Sequence, residues 1–189
     1  MASATDFWHN LLIVDQRRHV QGCVIECGVW RGGMSAGIAE VLGADSEYFL
    51  QNYRRQQQRM GSGRWHGKEM SKVRPTMTIV ERQSSSERAM RLSSARKYEI
   101  VKGWFKDTLP KFVPPCPITI LRLDGDWYDS TLLALETLFK YVAQDGIVIV
   151  DDYYAWDGCS IAVHDFLSRH RLKARLTQKF GMCVLEPRP

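Results

Sequence analysis

Short apolar runs alternate with amphipathic stretches along most of the chain. The amphipathic stretches repeat apolar residues at helical spacing and predict helices over 6–20, 35–43, 86–96, 105–112, 130–143 and 159–170. The apolar runs predict strands at CVIECG (23–28), EYFL (47–50), YEIVKG (98–103), ITILRLDG (118–125), GIVIVDD (146–152), ARLTQKF (174–180) and MCVLEP (182–187). Strands that alternate with helices indicate βαβ units, and unbroken apolar strands suit a sheet that is buried on both faces. The pattern therefore predicts an α/β fold with a mostly parallel sheet and a C-terminal antiparallel hairpin.

Length and composition fit one globular domain. Of the 189 residues, 44% are hydrophobic and 25% are charged, and we interpret 1–189 as a single domain. No apolar run approaches the ~20 residues that a membrane-spanning helix needs, and the N-terminus lacks the features of a secretory signal. The five cysteines are an odd and scattered set, which we interpret as reduced thiols. These features predict a cytoplasmic protein that does not enter the membrane.

Positive charge is concentrated in one segment of low hydrophobicity. Residues 51–76 contain seven basic residues and one acidic residue, a local charge of +6, while the net charge of the whole chain is +5. The rest of the chain therefore sums to −1. A solvated loop is the interpretation that we favour, because charge runs are usually solvated. The alternative is a nucleic-acid-binding arm, which a basic run would suit.

The turn after the first predicted strand is rich in glycine. Its pattern is E-x-G-x-x-x-G-G, formed by Glu26, Gly28, Gly32 and Gly33. Glycines at this place let a ligand approach the backbone, and the N-terminus of the following helix lies beside the turn. The pattern matches neither the dinucleotide fingerprint nor the P-loop. Tight packing of the helix on the sheet, with no ligand, is the alternative.

Acidic residues follow two neighbouring strands of the predicted sheet. Asp124 and Asp126 follow ITILRL, and Asp151 and Asp152 follow GIVIV. Ligands of open α/β sheets bind beyond the carboxyl ends of the strands, where these four carboxylates would repel one another. A hard cation such as Mg²⁺ takes oxygen ligands and would relieve the repulsion. The alternative for Asp124 and the glycine after it is an ordinary turn, and the alternative for Asp151 and Asp152 is a cap or a loop.

Four long motifs together resemble one enzyme family. They are VIECGVWRGGMS, IVKGWFKDTLP, LRLDGDWYDSTLLALETL and GIVIVDDYYAWDGC, and they resemble the macrocin O-methyltransferase family. The resemblance covers 20–50 and 86–170. It implies a Rossmann-like class I methyltransferase fold that uses S-adenosylmethionine and Mg²⁺. It also implies a small-molecule acceptor, a hydroxyl of a sugar or of a related natural-product group.

The resemblance implies a role for each residue that matches a family motif. Contacts with S-adenosylmethionine are implied for Glu26, Gly28, Trp30, Ser35, Trp104 and Phe105. Magnesium ligands are implied for Asp124, Asp151 and Asp152, and the general base for Asp126. Methyl transfer is an in-line displacement in which the enzyme mostly supplies positioning. A magnesium ion that holds the acceptor would lower the pKa of the attacking hydroxyl, and Asp126 would take its proton.

One segment departs from the family pattern. After EYFL the family continues with an acid that binds the cofactor ribose, whereas this chain has Gln51 and Asn52, and its next acid is Glu69. Losing two charge-assisted hydrogen bonds of ~1.5–3 kcal/mol each would weaken cofactor binding by about two orders of magnitude or more. We hypothesise that 51–85 is a frame-shifted stretch, which the coding DNA would test. A genuine insertion is the alternative.

Three functions follow from these patterns. The first is a magnesium- and S-adenosylmethionine-dependent O-methyltransferase, and the second is the same fold with little or no activity because 51–84 is altered. The third is a nucleic-acid-binding module that uses the basic run. We rank the third last, because the run has few aromatic residues and no recognisable binding motif. The sequence leaves the oligomeric state open, a homo-oligomer included.

Overall fold

The computed structural model describes residues 3–53 and 79–188. Within these ranges the strands are β1 Cys23–Cys27, β2 Glu47–Tyr53, β3 Lys97–Gly103, β4 Ile118–Leu123, β5 Val142–Val150, β6 Ala174–Lys179 and β7 Met182–Pro187. The α-helices are α1 Ala4–Asp15, α2 Gly33–Leu42, α3 Ile79–Leu92, α4 Phe105–Thr108, α5 Tyr128–Leu138 and α6 Asp157–His170. No helix in these ranges combines the length and the hydropathy that crossing a bilayer requires.

The strands form one sheet in the order β3-β2-β1-β4-β5-β7-β6. The first five strands pair in parallel, while β7 runs antiparallel to both β5 and β6. This arrangement confirms the predicted Rossmann-like sheet, mostly parallel with a C-terminal antiparallel hairpin. The chain turns from β1 towards β2 on one side and returns to β4 on the other. The gap between β1 and β4 is therefore the topological switch point, where ligands of such sheets bind.

Two apolar layers cover the two faces of the sheet. On one face, α1, α2 and α3 pack against alternate residues of the strands, such as Val24, Ile120 and Ile149. On the other face, α4, α5 and α6 pack against the residues between them, such as Ile25 and Leu121. The central strands β1 and β4 are buried along their whole length. This burial explains why their sequences are continuous apolar runs rather than alternating ones.

Several element boundaries differ from the predictions, since the helices predicted over 6–20 and 130–143 end at residues 15 and 138. The predicted strand 47–50 continues to residue 53, and the predicted helix 86–96 begins at residue 79 and ends at residue 92. Both elements therefore extend into the segment 51–84. The basic residues of 51–76 begin at Arg54 and lie outside the described residues, as does most of the hypothesised frame-shifted stretch. The nucleic-acid arm, the frame shift and the single domain over 1–189 stay predictions.

Candidate functional site

The candidate site lies at the carboxyl ends of β1 and β4. In the parallel register of these two strands, Glu26 stands opposite Arg122. Both side chains are 1% exposed, although every strand residue around them is apolar or uncharged. Arg122 Nη1 donates to Glu26 Oε1 at 2.7 Å. A buried ion pair lowers the free energy of unfolding unless it is well hydrogen-bonded. Its presence at the switch point therefore indicates a candidate functional site.

Glu26 also accepts a hydrogen bond from a residue of α2. Ser35, buried in the first turn of that helix, donates its hydroxyl to Glu26 Oε2. Burial raises the pKa of the Glu26 carboxyl, while the charge of Arg122 and the bond from Ser35 oppose that rise. Two residues that the sequence predicted as cofactor contacts are therefore joined in one buried pair.

Gly28 lets the turn after β1 approach the turn after β4. Its φ is +105°, and a Cβ at this position would overlap the carbonyl oxygen of Asp124. The Gly28 N–H donates to the Gln51 carbonyl at 3.0 Å, which ties the ends of β1 and β2 together. Only glycine fits a backbone of this conformation in so close an approach.

Three carboxylates converge beside this turn. Asp124, Asp126 and Asp152 each offer an oxygen that lies within 4.8 Å of the others. We call these three residues the acid cluster. Asp126 has a φ of +58°, a left-handed conformation that aspartate tolerates better than most residues, and its N–H donates to Asp152 Oδ2 at 3.0 Å. Burial, followed by the charges of Asp124 and Asp126, raises the pKa of Asp152 to about 8.

Asp151 is not among the three residues of the acid cluster. Its Oδ1 forms an ion pair with Arg122 Nη2 at 2.9 Å and accepts a hydrogen bond from Asn10 Nδ2 at 3.2 Å. The sequence predicted Asp151 as a metal ligand and Asp126 as a base. The structure places Asp126 in the acid cluster and Asp151 against Arg122, and both roles stay predictions. These contacts engage Oδ1 and leave Oδ2 as the oxygen through which Asp151 would bind a cation.

Arg122 is the site residue that the sequence analysis missed. It donates to Glu26, to Asp124 Oδ2 at 3.0 Å and, through Nε, to Asn10 Oδ1 at 3.2 Å, and it forms an ion pair with Asp151. We call these five residues the Arg122 network. The neighbouring carboxylates outweigh desolvation and raise the pKa of the guanidinium further. The signal available in the sequence was a charged residue inside the apolar strand ITILRL.

The aromatic residues predicted to contact the cofactor differ in exposure. Trp30, with a φ of +44°, follows the turn after β1 and is exposed. Trp104 is half-buried at the carboxyl end of β3. Phe105, the first residue of α4, is buried in the apolar core.

Gln51 is a second residue whose surroundings were not predicted. It ends the buried part of β2 and is 0% exposed. Neither its amide nitrogen nor its amide oxygen has a hydrogen-bond partner among the residues that the structure describes. Buried polar groups are nearly always paired, so an orphaned amide at the carboxyl edge of the sheet calls for a partner.

Comparison with known proteins identifies the family. The family model described as "Macrocin-O-methyltransferase (TylF)" matches residues 9–185. The chain belongs to the macrocin O-methyltransferase family. One relative is the 8-demethyl-8-(2,3-dimethoxy-alpha-L-rhamnosyl)-tetracenomycin-C 4'-O-methyltransferase of Streptomyces olivaceus, 32% identical over 174 residues. A second is the demethyldecarbamoylnovobiocin O-methyltransferase of Streptomyces niveus, 30% identical over 158 residues.

The chain is shorter than these members of the macrocin O-methyltransferase family. The first alignment covers 87% of this chain and 65% of the relative, and the second covers 80% and 60%. Solved structures show the same fold. The O-methyltransferase NovP matches with a TM-score of 0.66 at 23% identity, covering 96% of this chain and 80% of that chain. The structure of TomG from Streptomyces achromogenes, described as a complex with SAM, matches with a TM-score of 0.67 at 14% identity. That match covers 100% of this chain and 82% of the TomG chain.

Proposed function

We propose that this chain is an S-adenosylmethionine- and Mg²⁺-dependent O-methyltransferase. Its acceptor is a hydroxyl of a sugar or of another natural-product group. Family membership supports this proposal, because the two relatives above are named as O-methyltransferases of glycosylated or related natural products. The observation that carries the proposal is the acid cluster beside the glycine turn of β1. It brings candidate metal ligands and candidate cofactor contacts to one edge of the sheet.

The residues at the end of β1 fit the cofactor. Gly28 lets the turn after β1 pack closely against the turn after β4, and Glu26 and Ser35 form a buried polar pair near the end of β1. The orphaned amide of Gln51 lies at the end of the adjacent strand. We propose that this amide hydrogen-bonds the cofactor ribose, in place of the acid that is expected there. Trp104, at the end of β3, offers a partly exposed ring for stacking.

The acid cluster fits a divalent cation. Three carboxylate oxygens within 4.8 Å of one another are a hard, all-oxygen donor set, which suits Mg²⁺. Burial and mutual repulsion make the charged form of Asp152 unfavourable without a cation. We propose that Asp124 and Asp152 hold the cation and that Asp151 contributes through Oδ2.

Each residue of the site has a separate role in the proposed reaction. S-adenosylmethionine, when bound, supplies the electrophilic methyl group, and Mg²⁺, when bound, lowers the pKa of the acceptor hydroxyl. Asp126 accepts the proton of that hydroxyl on its carboxylate, as the oxygen–carbon bond forms and the carbon–sulfur bond breaks. Glu26 and Ser35 orient the cofactor. The rate enhancement comes mainly from alignment of the acceptor oxygen with the methyl carbon.

A methyl-transfer assay tests the proposal. The purified chain is incubated with S-adenosylmethionine, Mg²⁺ and a panel of rhamnosylated and other glycosylated natural products. The expected result is S-adenosylhomocysteine together with a product that is heavier by one methylene unit. Asp126→Asn should lower the rate by about 10²–10⁴-fold with cofactor binding retained. The exposed Asp129→Asn variant is the control. Equal rates in both variants would refute Asp126 as the base.

A second candidate is a family member with little or no activity. The observation that favours it is Gln51, a neutral residue where an acid is expected. Calorimetric titration with S-adenosylhomocysteine separates the two candidates. Micromolar binding supports the active enzyme, whereas no binding at millimolar ligand by the folded chain supports the impaired one.

A further inference from the structure

The Arg122 network connects the two halves of the proposed active site. One guanidinium nitrogen, Nη1, is shared between Glu26 Oε1 at 2.7 Å and Asp124 Oδ2 at 3.0 Å. Glu26 belongs to the proposed cofactor side, and Asp124 belongs to the acid cluster. The two carboxylates therefore touch the same atom and cannot move independently.

The remaining nitrogens of Arg122 fix its orientation. Nη2 forms an ion pair with Asp151 Oδ1 at 2.9 Å, and Nε donates to Asn10 Oδ1 at 3.2 Å. Asn10 is fully buried, and its amide nitrogen bonds both Asp151 and the Asp6 carbonyl of α1. Arginine presents its donors in a rigid planar fork, whereas lysine presents a single flexible ammonium group. Through Asn10, helix α1 therefore fixes the guanidinium group of Arg122, and the guanidinium group holds the three carboxylates.

We propose that Arg122 is a positioning residue that couples cofactor binding to cation binding. The inference rests on the proposed function. A cation that fixes Asp124 also fixes the shared Nη1 and, through it, Glu26. The cofactor then meets a Glu26 that is already ordered and loses less binding free energy to ordering. Coupling of this kind is reciprocal, so the cofactor tightens cation binding by the same factor.

Calorimetry measures this coupling without any turnover. Mg²⁺ is titrated into the full chain with and without saturating S-adenosylhomocysteine, for the natural chain, Arg122→Lys and Arg17→Lys. We expect S-adenosylhomocysteine to tighten Mg²⁺ binding about tenfold in the natural chain, within the usual range for coupled sites. Arg122→Lys should retain both ligands but lose nearly all of that factor. Arg17→Lys is the matched control, because Arg17 pairs with Glu186 in a separate ion pair, and it should keep the full factor.

The outcomes separate the inference from the proposed function. Binding of both ligands to the natural chain, with equal coupling in Arg122→Lys, overturns the inference and leaves the proposed function standing. Binding of neither ligand by the folded natural chain overturns both. If Arg122→Lys fails to fold, Asn10→Ala carries the test, because it removes the Nε bond and leaves every charge in place. Reduced coupling in Asn10→Ala supports the inference, and coupling equal to that of the natural chain overturns it.

Discussion

Two groups of carboxylates lie side by side at the carboxyl ends of β1, β4 and β5, and they differ in how their charge is balanced. In the Arg122 network, a buried guanidinium forms ion pairs with Glu26, Asp124 and Asp151. In the acid cluster, the oxygens of Asp124, Asp126 and Asp152 face one another. Asp124 belongs to both groups. The comparison separates a framework that is already neutralised by protein groups from a site whose charge calls for an external cation.

The first prediction removes the positive charge of Arg122 from the Arg122 network. Arg122→Met leaves the buried Glu26 and its partner aspartates without their counter-charge. We expect a loss of about 3–5 kcal/mol in the free energy of unfolding, because an uncompensated buried charge is strongly destabilising. Urea denaturation measures the loss. Arg17→Met removes a partly exposed ion pair and should cost at most about 1 kcal/mol. Equal losses in the two variants would contradict the assigned framework role.

The second prediction concerns the orphaned amide of Gln51. Gln51→Leu keeps a similar volume and removes two buried polar atoms that have no hydrogen-bond partner among the described residues, so we expect the free energy of unfolding to rise by about 1–3 kcal/mol. The same variant should bind S-adenosylhomocysteine more weakly, because the proposed ribose contact is lost. Exposed Gln178→Leu is the control and should change stability by no more than about 0.5 kcal/mol. Higher stability with unchanged affinity would remove Gln51 from the cofactor site.

The third prediction tests the close approach between the turns after β1 and β4. Gly28→Ala places a Cβ against the Asp124 carbonyl on a backbone with φ of +105°. It should destabilise the chain by more than about 1 kcal/mol and weaken both ligand affinities. Gly33→Ala is the matched control, because no atom outside the local backbone lies within 4 Å of its Cβ position. A tolerated Gly28→Ala would show that the turns have room to separate.

The fourth and smallest prediction uses an ion pair that is remote from the site. Burial alone would raise the pKa of Glu186, but its bond from Lys179 and the charges of Lys179 and Arg17 outweigh burial and lower that pKa. A lowered carboxyl pKa contributes stability above the unfolded value, and this contribution is lost as the pH falls through the folded value. Glu186→Gln should therefore cost about 0.5–1 kcal/mol at pH 7 and less at pH 3, where the carboxylate is partly protonated. An equal cost at both pH values would contradict the pairing.

The fold was predictable because strands that are buried on both faces of a sheet appear in the sequence as continuous apolar runs. The strands β1 and β4 read as apolar runs, and their carboxyl ends were marked by Glu26 and by the Asp124–Gly125–Asp126 turn. The end of β2 and the start of α3 were missed, because 51–85 carries no clear period. In those regions tertiary contacts, rather than local propensity, decide the boundaries.

The division between the two carboxylate groups was not predictable from the sequence. Arg122 is separated from Glu26 by 96 residues and from Asn10 by 112, and no local pattern joins them. Asp151 and Asp152 are neighbours in the turn after β5, yet one lies against Arg122 and the other in the acid cluster. Only the three-dimensional packing of the strand ends shows which acid belongs to which group.

The central claim is that the acid cluster is a cation site of the proposed methyltransferase. Mn²⁺ accepts the same oxygen ligands as Mg²⁺, and its free form gives a paramagnetic resonance signal. The most direct test is therefore to titrate the natural chain, Asp152→Asn and Asp145→Asn with Mn²⁺ and to measure the free ion. The account predicts one bound ion per chain for the natural protein and for the exposed-site control Asp145→Asn, displaceable by Mg²⁺, and none for Asp152→Asn. Equal binding by Asp152→Asn, or no binding by the folded natural chain, would contradict it.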